Sequence, residues 1–312
     1  MTEAWALEQD GQLAHGPVRV KVPAKINLYL GVGLLRADGY HELHTVYHAI
    51  ALHDEITARP GDSLTLTMQG EGVGDLELDE RNLVIRAALA LAQSARIEPK
   101  ARLHLRKQIP LAAGLAGGSA DAAATLVACD ALWGTGYSRP ELARIAETLG
   151  SDVPFLLHGG TALGTGRGEA VSPVLARAHK WHWVVAFAEG GLSTPEVYRE
   201  LDRLRAVSQA PEPLESPDAL LAALRQRDPA VLGKALGNDL EAAAVSLRPE
   251  LAMTLEAGRT AGAYAALVSG SGPTCVFLAG DEVHADEIAD AVGPHARAVV
   301  HASGPVPGAR IG

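Results

Sequence analysis

Between Val18 and Gln69 apolar residues recur at every second position, and only beyond Asn82 does the spacing lengthen to a helical one. Period-two alternation sends successive side chains to opposite faces of an extended chain. Val18–Val22, Ala24–Leu35, Glu42–His53, Asp54–Ala58 and Ser63–Gln69 therefore read as strands, with a turn at Asp38-Gly39. This part is expected to be β-rich and largely antiparallel. Leu83, Ala87, Ala90 and Leu91 then fall on one helical face across Asn82–Ser94, and Ala101–Lys107 alternates again as a strand. Ser119 is a plausible N-cap for a helix over Ala120–Trp133, and Pro140 suits the first turn of a helix over Arg139–Leu149.

The second half mixes the two periods. Trp181–Ala188, Ala263–Val268, Thr274–Ala279 and Ala296–His301 read as strands. Pro195–Ala206, Asp218–Arg225, Pro229–Ala235 and Glu250–Ala261 read as helices, and Pro211–Pro217 as a loop. This order is compatible with a ferredoxin-like sandwich. The link Glu169–Lys180 carries no helical pattern and marks a domain boundary. The expected division is a leader at 1–17, an N-terminal domain at 18–175 and a C-terminal domain at 176–312.

Composition narrows the class. The 312 residues are 47% hydrophobic, enough for a sizeable core, and 33 glycines suit tight turns in an α+β enzyme. A formal net charge of -10 argues against a sequence-independent grip on nucleic acid, which needs a clustered basic surface. No apolar run is long enough for a membrane span, and the first residues lack the apolar core of a targeting segment. Cys129 and Cys275 have no ligand-spaced neighbours and read as buried thiols. A cytoplasmic protein, a monomer or weak homodimer without nucleic-acid or membrane partners, is expected.

The segment with most chemistry in it is Pro110-Leu111-Ala112-Ala113-Gly114-Leu115-Ala116-Gly117-Gly118-Ser119-Ala120. Glycines let backbone N–H groups turn inward, small neighbours admit a polyphosphate, and the helix that follows points its positive end at the loop. Ser119 adds a hydroxyl for a phosphate oxygen or Mg²⁺. No G-x-x-x-x-G-K-[ST] string occurs, so a Walker-type phosphate site is excluded. On its own the segment also fits a tight strand-to-helix connection.

Four more strings, in order along the chain, make the pattern specific: Pro23-Ala24-Lys25-Ile26-Asn27-Leu28, Ala37-Asp38-Gly39-Tyr40-His41-Glu42-Leu43, Leu149-Gly150-Ser151-Asp152-Val153-Pro154-Phe155 and Ser269-Gly270-Ser271-Gly272-Pro273-Thr274. Together with the glycine loop they resemble the motifs of the GHMP small-molecule kinases, and the second and third of them point to the branch whose acceptor is a cytidine-diphosphate-linked methylerythritol. Ala116 stands where the family commonly has Gly, Ala120 where many members have Ser, and Asp121 where relatives often have Asn.

The resemblance implies a two-domain α+β GHMP kinase fold, with an N-terminal ribosomal-S5-like β/α domain and a C-terminal ferredoxin-like α/β sandwich. It implies ATP-dependent phosphorylation of the acceptor's C2 hydroxyl, a step toward isoprenoid precursors. Asp152 would accept or orient the hydroxyl proton, and Lys25 would stabilise charge on the γ-phosphoryl. Asn27, two positions from Lys25 on the same strand face, would bond near the reacting hydroxyl. Tyr40 and Tyr198 would stack on the pyrimidine and His41 would read its edge. Thr194 would touch the sugar or base, and Gly270, Ser271 and Gly272 would line the diphosphate or acceptor pocket. Apart from the resemblance, Arg167 in the flexible stretch Thr165–Glu169 is a candidate phosphate contact. Strand alternation separates His41 from His44 and His48, so no protein-held metal is expected and Mg²⁺ would arrive with ATP. Two alternatives stay open: a sister kinase acting on mevalonate, homoserine or a sugar, which has no nucleobase to grip, and a non-catalytic ligand-binding or RNA-binding protein on a related fold.

Overall fold

The computed structural model describes residues 16–175 and 179–312, so all but the last two residues of the expected leader lie outside the described residues. The chain runs β1 (Val18–Leu35), β2 (His41–Arg59), β3 (Thr65–Gly70), α1 (Leu83–Ala95), β4 (Arg102–Lys107), α2 (Gly117–Trp133), α3 (Arg139–Glu147), α4 (Val153–His158), β5 (Thr161–Thr165) and β6 (Ala170–Pro173). It continues through β7 (Trp181–Phe187), α5 (Thr194–Ala206), α6 (Asp218–Ala223), α7 (Pro229–Gly233), β8 (Gly237–Asn238), α8 (Glu241–Leu247), α9 (Glu250–Thr260), β9 (Ala265–Val268), β10 (Cys275–Ala279), α10 (Glu282–Val292), β11 (Ala298–Gly304) and β12 (Arg310–Ile311).

The strands form two sheets. The first has the order β12-β1-β2-β4-β3, with β5 also on β2, β6 on β5 and β8 on β1. The second has the order β11-β7-β10-β9 with every pair antiparallel. That order, with α9 leading into β9 and α10 joining β10 to β11, is the ferredoxin-like arrangement. Helix α2 covers β1 and β2 of the first sheet. The alanines of α2, from Ala120 to Ala128, are fully buried, and their small size brings the helix close to the strands.

Several elements depart from the periodic reading. Val18–Val22 and Ala24–Leu35 are one strand: the register shifts between Pro23 and Ala24, and this irregularity accommodates the proline inside the ladder. Glu42–His53 and Asp54–Ala58 likewise merge into β2. Strand β3 pairs parallel to β4, not antiparallel. The link after Glu169 contains β6, and α4, α8 and α10 carried no helical expectation. Those helices are short or alanine-rich, so their apolar spacing is hard to tell from loop composition. The chain also crosses back, since β8 and β12 from the second half both pair with β1.

Helix α2 starts at Gly117, three residues before the expected start, and its N-cap is Ala116 in the left-handed region at φ 56° and ψ 37°, not Ser119. Gly117 opens the first turn, and a Cβ there would stand 3.1 Å from both Lys107 Nζ and Ile109 Cγ2, so a side chain would press on both. A left-handed alanine costs about 1 kcal/mol that glycine avoids. Ala116→Gly is therefore expected to raise the thermal unfolding midpoint, read by circular dichroism. A lowered midpoint would mean that Ala116 packing outweighs its backbone strain.

Candidate active site

Strand β1 supplies the centre of the site. Lys25 and Asn27 share a face, and the Lys25 ammonium donates to Asn27 Oδ1 at 2.8 Å. Asn27 Nδ2 donates to Thr45 Oγ1 at 2.7 Å, and Thr45 donates on to the Tyr29 carbonyl at 2.8 Å. This chain fixes the asparagine amide and with it the direction of the lysine. Asp152, which opens α4, brings Oδ2 to 3.7 Å from Lys25 Nζ. The lysine side chain is 7% exposed and the aspartate 28%, so the carboxylate keeps an open side.

The pair lies in a cleft of about 870 Å³. From the glycine-rich segment, Ala112, Ala113, Gly114, Ala116, Gly117, Gly118 and Ser119 line it. Pro110, Leu115 and Ala120 are buried, and Leu111 lies against Gly72, where a Cβ would come within 2.5 Å of its side chain. The segment therefore divides into a cleft-facing rim and apolar residues that anchor it from below. The second glycine loop, Ser269–Gly272, meets the first: a Cβ on Gly114 would fall 2.1 Å from the Ser269 carbonyl oxygen. Gly270 and Ser271 reach the cleft, and Gly272 packs against Val268 and Leu192 instead.

The other end of the cleft is aromatic. Tyr40, on the turn between β1 and β2, is 55% exposed, and the Arg167 guanidinium sits 4.9 Å over its ring. His41 stacks on Tyr198 with centroids 5.1 Å apart and planes at 29°. Its Nε2 lies 3.0 Å from Asp202 Oδ1. Burial and the nearby Asp152 charge push the Tyr198 hydroxyl above its ordinary range. Thr194 shares a 2.9 Å hydrogen bond with the Ser271 hydroxyl. Tyr40, His41, Tyr198 and Thr194 all line the same cleft as Lys25 and Asp152.

Two family models match the chain, GHMP kinases N terminal domain over residues 82–160 and GHMP kinases C terminal over residues 220–296. The 4-diphosphocytidyl-2-C-methyl-D-erythritol kinase of Salinispora tropica is 71% identical over 315 residues, covering 100% of both chains. The chain belongs to the GHMP kinase family. A crystal structure of a 4-(cytidine 5'-diphospho)-2C-methyl-D-erythritol kinase, 35% identical, superposes with a TM-score of 0.75 over 91% of this chain and 98% of that one. The homoserine kinase of Cytophaga hutchinsonii shares the fold at a TM-score of 0.74 and 20% identity, over 97% of this chain and 100% of that one. The protein is thus a small-molecule kinase of α+β fold. Among its described residues no helix is long and apolar enough to cross a membrane, and no cluster of three potential metal-ligating side chains occurs.

The kinase has site residues that no local pattern announced. Tyr47 pairs with Asn27 across the β1–β2 ladder and stacks on Phe155 at 5.0 Å. Its ring lies 5.7 Å from Lys25 Nζ, and burial, reinforced by Asp152, raises its hydroxyl well above the ordinary range. Beneath the loop, Lys107 Nζ contacts Asp54 Oδ2 at 2.6 Å and Asp121 Oδ2 at 2.7 Å, with all three side chains buried. Burial raises the Asp121 carboxyl well above its usual range, and the proximity of Asp54 adds to this against the opposing Lys107 charge.

The departure to Asp at position 121 therefore carries a pH signature. The folded kinase holds the Asp121 proton more tightly than the unfolded chain, so stability falls as pH rises from 3.8 through the raised folded value. Asp121→Asn removes that slope. The wild-type midpoint minus the variant midpoint, followed by differential scanning fluorimetry across pH, is expected to decline upward from about pH 4. Taking the difference cancels His48, whose imidazole is pushed down to about 3 by burial. A pH-independent difference would mean that Asp121 is ionised in the folded state.

Proposed function

We propose that this kinase transfers the γ-phosphoryl of ATP to the C2 hydroxyl of 4-diphosphocytidyl-2-C-methyl-D-erythritol. The observation that carries this reading is the shared cleft, with the Lys25–Asp152 pair at 3.7 Å between a glycine loop and an aromatic pocket. The glycine rim suits a polyphosphate. The aromatic end, with Tyr40, His41 and Tyr198, suits a nucleobase, which mevalonate, homoserine and sugars lack. The relatives named for the cytidyl substrate support the same choice.

In the proposed step the acceptor oxygen attacks the γ-phosphorus. The bond from phosphorus to the β–γ bridging oxygen breaks, a phosphorus–oxygen bond to the acceptor forms, and ADP leaves. The hydroxyl proton passes to the Asp152 carboxylate. Lys25, aimed by Asn27, offsets negative charge on the moving phosphoryl group, where charge stabilisation and positioning supply most of the catalysis. The cleft offers Mg²⁺ the open Asp152 carboxylate and the Ser119 hydroxyl, which lies 3.9 Å from where a Cβ on Gly150 would stand. These donors fit an ion carried mainly by phosphate oxygens. Bound there, Mg²⁺ would neutralise phosphate charge.

Asp152→Ala is expected to lower kcat about 10²–10⁴-fold, with ATP binding preserved in a fluorescent-nucleotide titration. Near wild-type turnover in a coupled ADP-release assay would refute the base assignment. Tyr40→Ala is expected to raise KM for the cytidyl substrate about 5- to 150-fold, the equivalent of one lost stacking contact. An unchanged KM for that substrate would remove Tyr40 from the base pocket. Turnover of homoserine or mevalonate in place of the cytidyl alcohol would overturn the substrate reading itself.

A further inference from the structure

Strand β8 and the start of α8 hold the string Gly237-Asn238-Asp239-Leu240-Glu241, far in sequence from the residues discussed so far. Asn238 spends all its polar atoms on backbone. Its amide nitrogen donates to the Val268 carbonyl at 2.8 Å and to the Gly270 carbonyl at 2.7 Å. Its Oδ1 accepts from Leu240 N–H at 2.9 Å, which leaves one orientation for the amide. Glu241 adds to the grip by accepting from Val268 N–H at 2.9 Å. On its other side Asn238 pairs with Leu30 of β1, the strand that carries Lys25 and Asn27. Asn238 itself does not line the cleft, whereas Gly270 and Ser271 do.

The loop it holds touches the reacting centre. A Cβ on Gly270 would stand 3.4 Å from both Lys25 Nζ and Asn27 Oδ1 and 3.1 Å from the Gly114 carbonyl oxygen. Gly270 adopts φ 56°, and a glycine at that point can rotate its peptide with little steric resistance. The Gly270–Ser271 peptide is trans, so its C=O and N–H point in opposite directions. Asn238, outside the cleft, holds the carbonyl, and the Ser271 N–H is the opposite end of that peptide. A flipped peptide would instead aim a carbonyl dipole at the place where phosphoryl oxygens gather, replacing an attraction with a repulsion.

We propose that Asn238 is a positioning residue that sets the polarity of the Gly270–Ser271 peptide, so that the Ser271 N–H donates to a phosphoryl oxygen of a bound substrate. The proposal rests on the phosphoryl-transfer reading but not on which alcohol is the acceptor. The oxygen can belong to the nucleotide triphosphate or to the acceptor's diphosphate, and the two are separable by probe.

The test follows the Ser271 amide in ¹⁵N-labelled protein during titration with the non-hydrolysable ATP analogue AMP-PNP and, separately, with CDP. In the wild type the amide is expected to shift with one of them, and the active probe names the source of the oxygen. Asn238→Asp keeps the side-chain shape but turns an oxygen toward the two carbonyls. In that variant the Ser271 response is expected to disappear, and kcat to fall on the order of 10²-fold, as when one preorganised donor is lost, with KM unchanged for the substrate whose probe left the amide unmoved. A merely structural role would lower the melting temperature and leave both the amide response and the kcat of folded protein intact; that result overturns the proposal. So does a wild-type Ser271 amide that moves with neither probe, a measurement that stands even where Asn238→Asp fails to fold. Failure of the cytidyl-acceptor reading alone would silence CDP and leave the AMP-PNP arm informative.

Discussion

The Lys107 ammonium, buried between Asp54 and Asp121, is the constraint around which the glycine-loop end of the cleft is built. It joins β2, β4 and α2 at one point. Asp54 turns its second oxygen to the N–H groups of Gln108 and Ile109, the two residues before Pro110. The entry to the glycine loop is thereby held by a carboxylate, and its exit into α2 by the lysine beneath Gly117. Removing one partner of such a buried pair leaves an uncompensated charge, at a cost of about 3–5 kcal/mol. The rim can then be made almost wholly of alanine and glycine, since its shape is dictated from underneath and its own side chains have only to stay small.

This arrangement would let a chain of net charge -10 hold a polyphosphate. Anion binding at a helix start relies on backbone N–H groups and the helix dipole, and both act over short distances. The overall charge of the molecule therefore matters little at the rim. Lys25 is the formal positive charge placed at the centre of the cleft, and Asn27 with Thr45 fixes where it points. The acidic groups nearby, Asp152 and Asp202, are set against Lys25 and His41 respectively.

The cleft is also where the two sheets become one machine. Strand β8 pairs with β1, Thr194 bonds Ser271, and the two glycine loops meet between Gly114 and Ser269. Each of these contacts brings together residues from distant parts of the chain. Ser269–Gly272 owes its position to Asn238 and Glu241, and Tyr198 owes its orientation to a stack on His41 from the opposite half.

Much of this was legible in the residues alone, and the division follows the range of the forces involved. Alternation and helical spacing report local burial, so the strands around Lys25 and the helix after the glycine loop could be read directly, as could the five ordered motifs and the same-face placement of Lys25 and Asn27. The need for glycine at position 117 could not, because it depends on Lys107 and Ile109 standing where a Cβ would go. Tyr47, Asn238 and the Lys107 cluster were equally silent, since an aromatic, an amide or a charge in a string acquires meaning only from partners it meets across the fold. Sequence by itself determined which groups were available and which backbone segments were free to turn around an anion. Tertiary structure decided which carbonyls were drawn out of the cleft, which carboxylate was buried and which aromatic faced the lysine, because those outcomes depend on contacts between residues that only folding brings together.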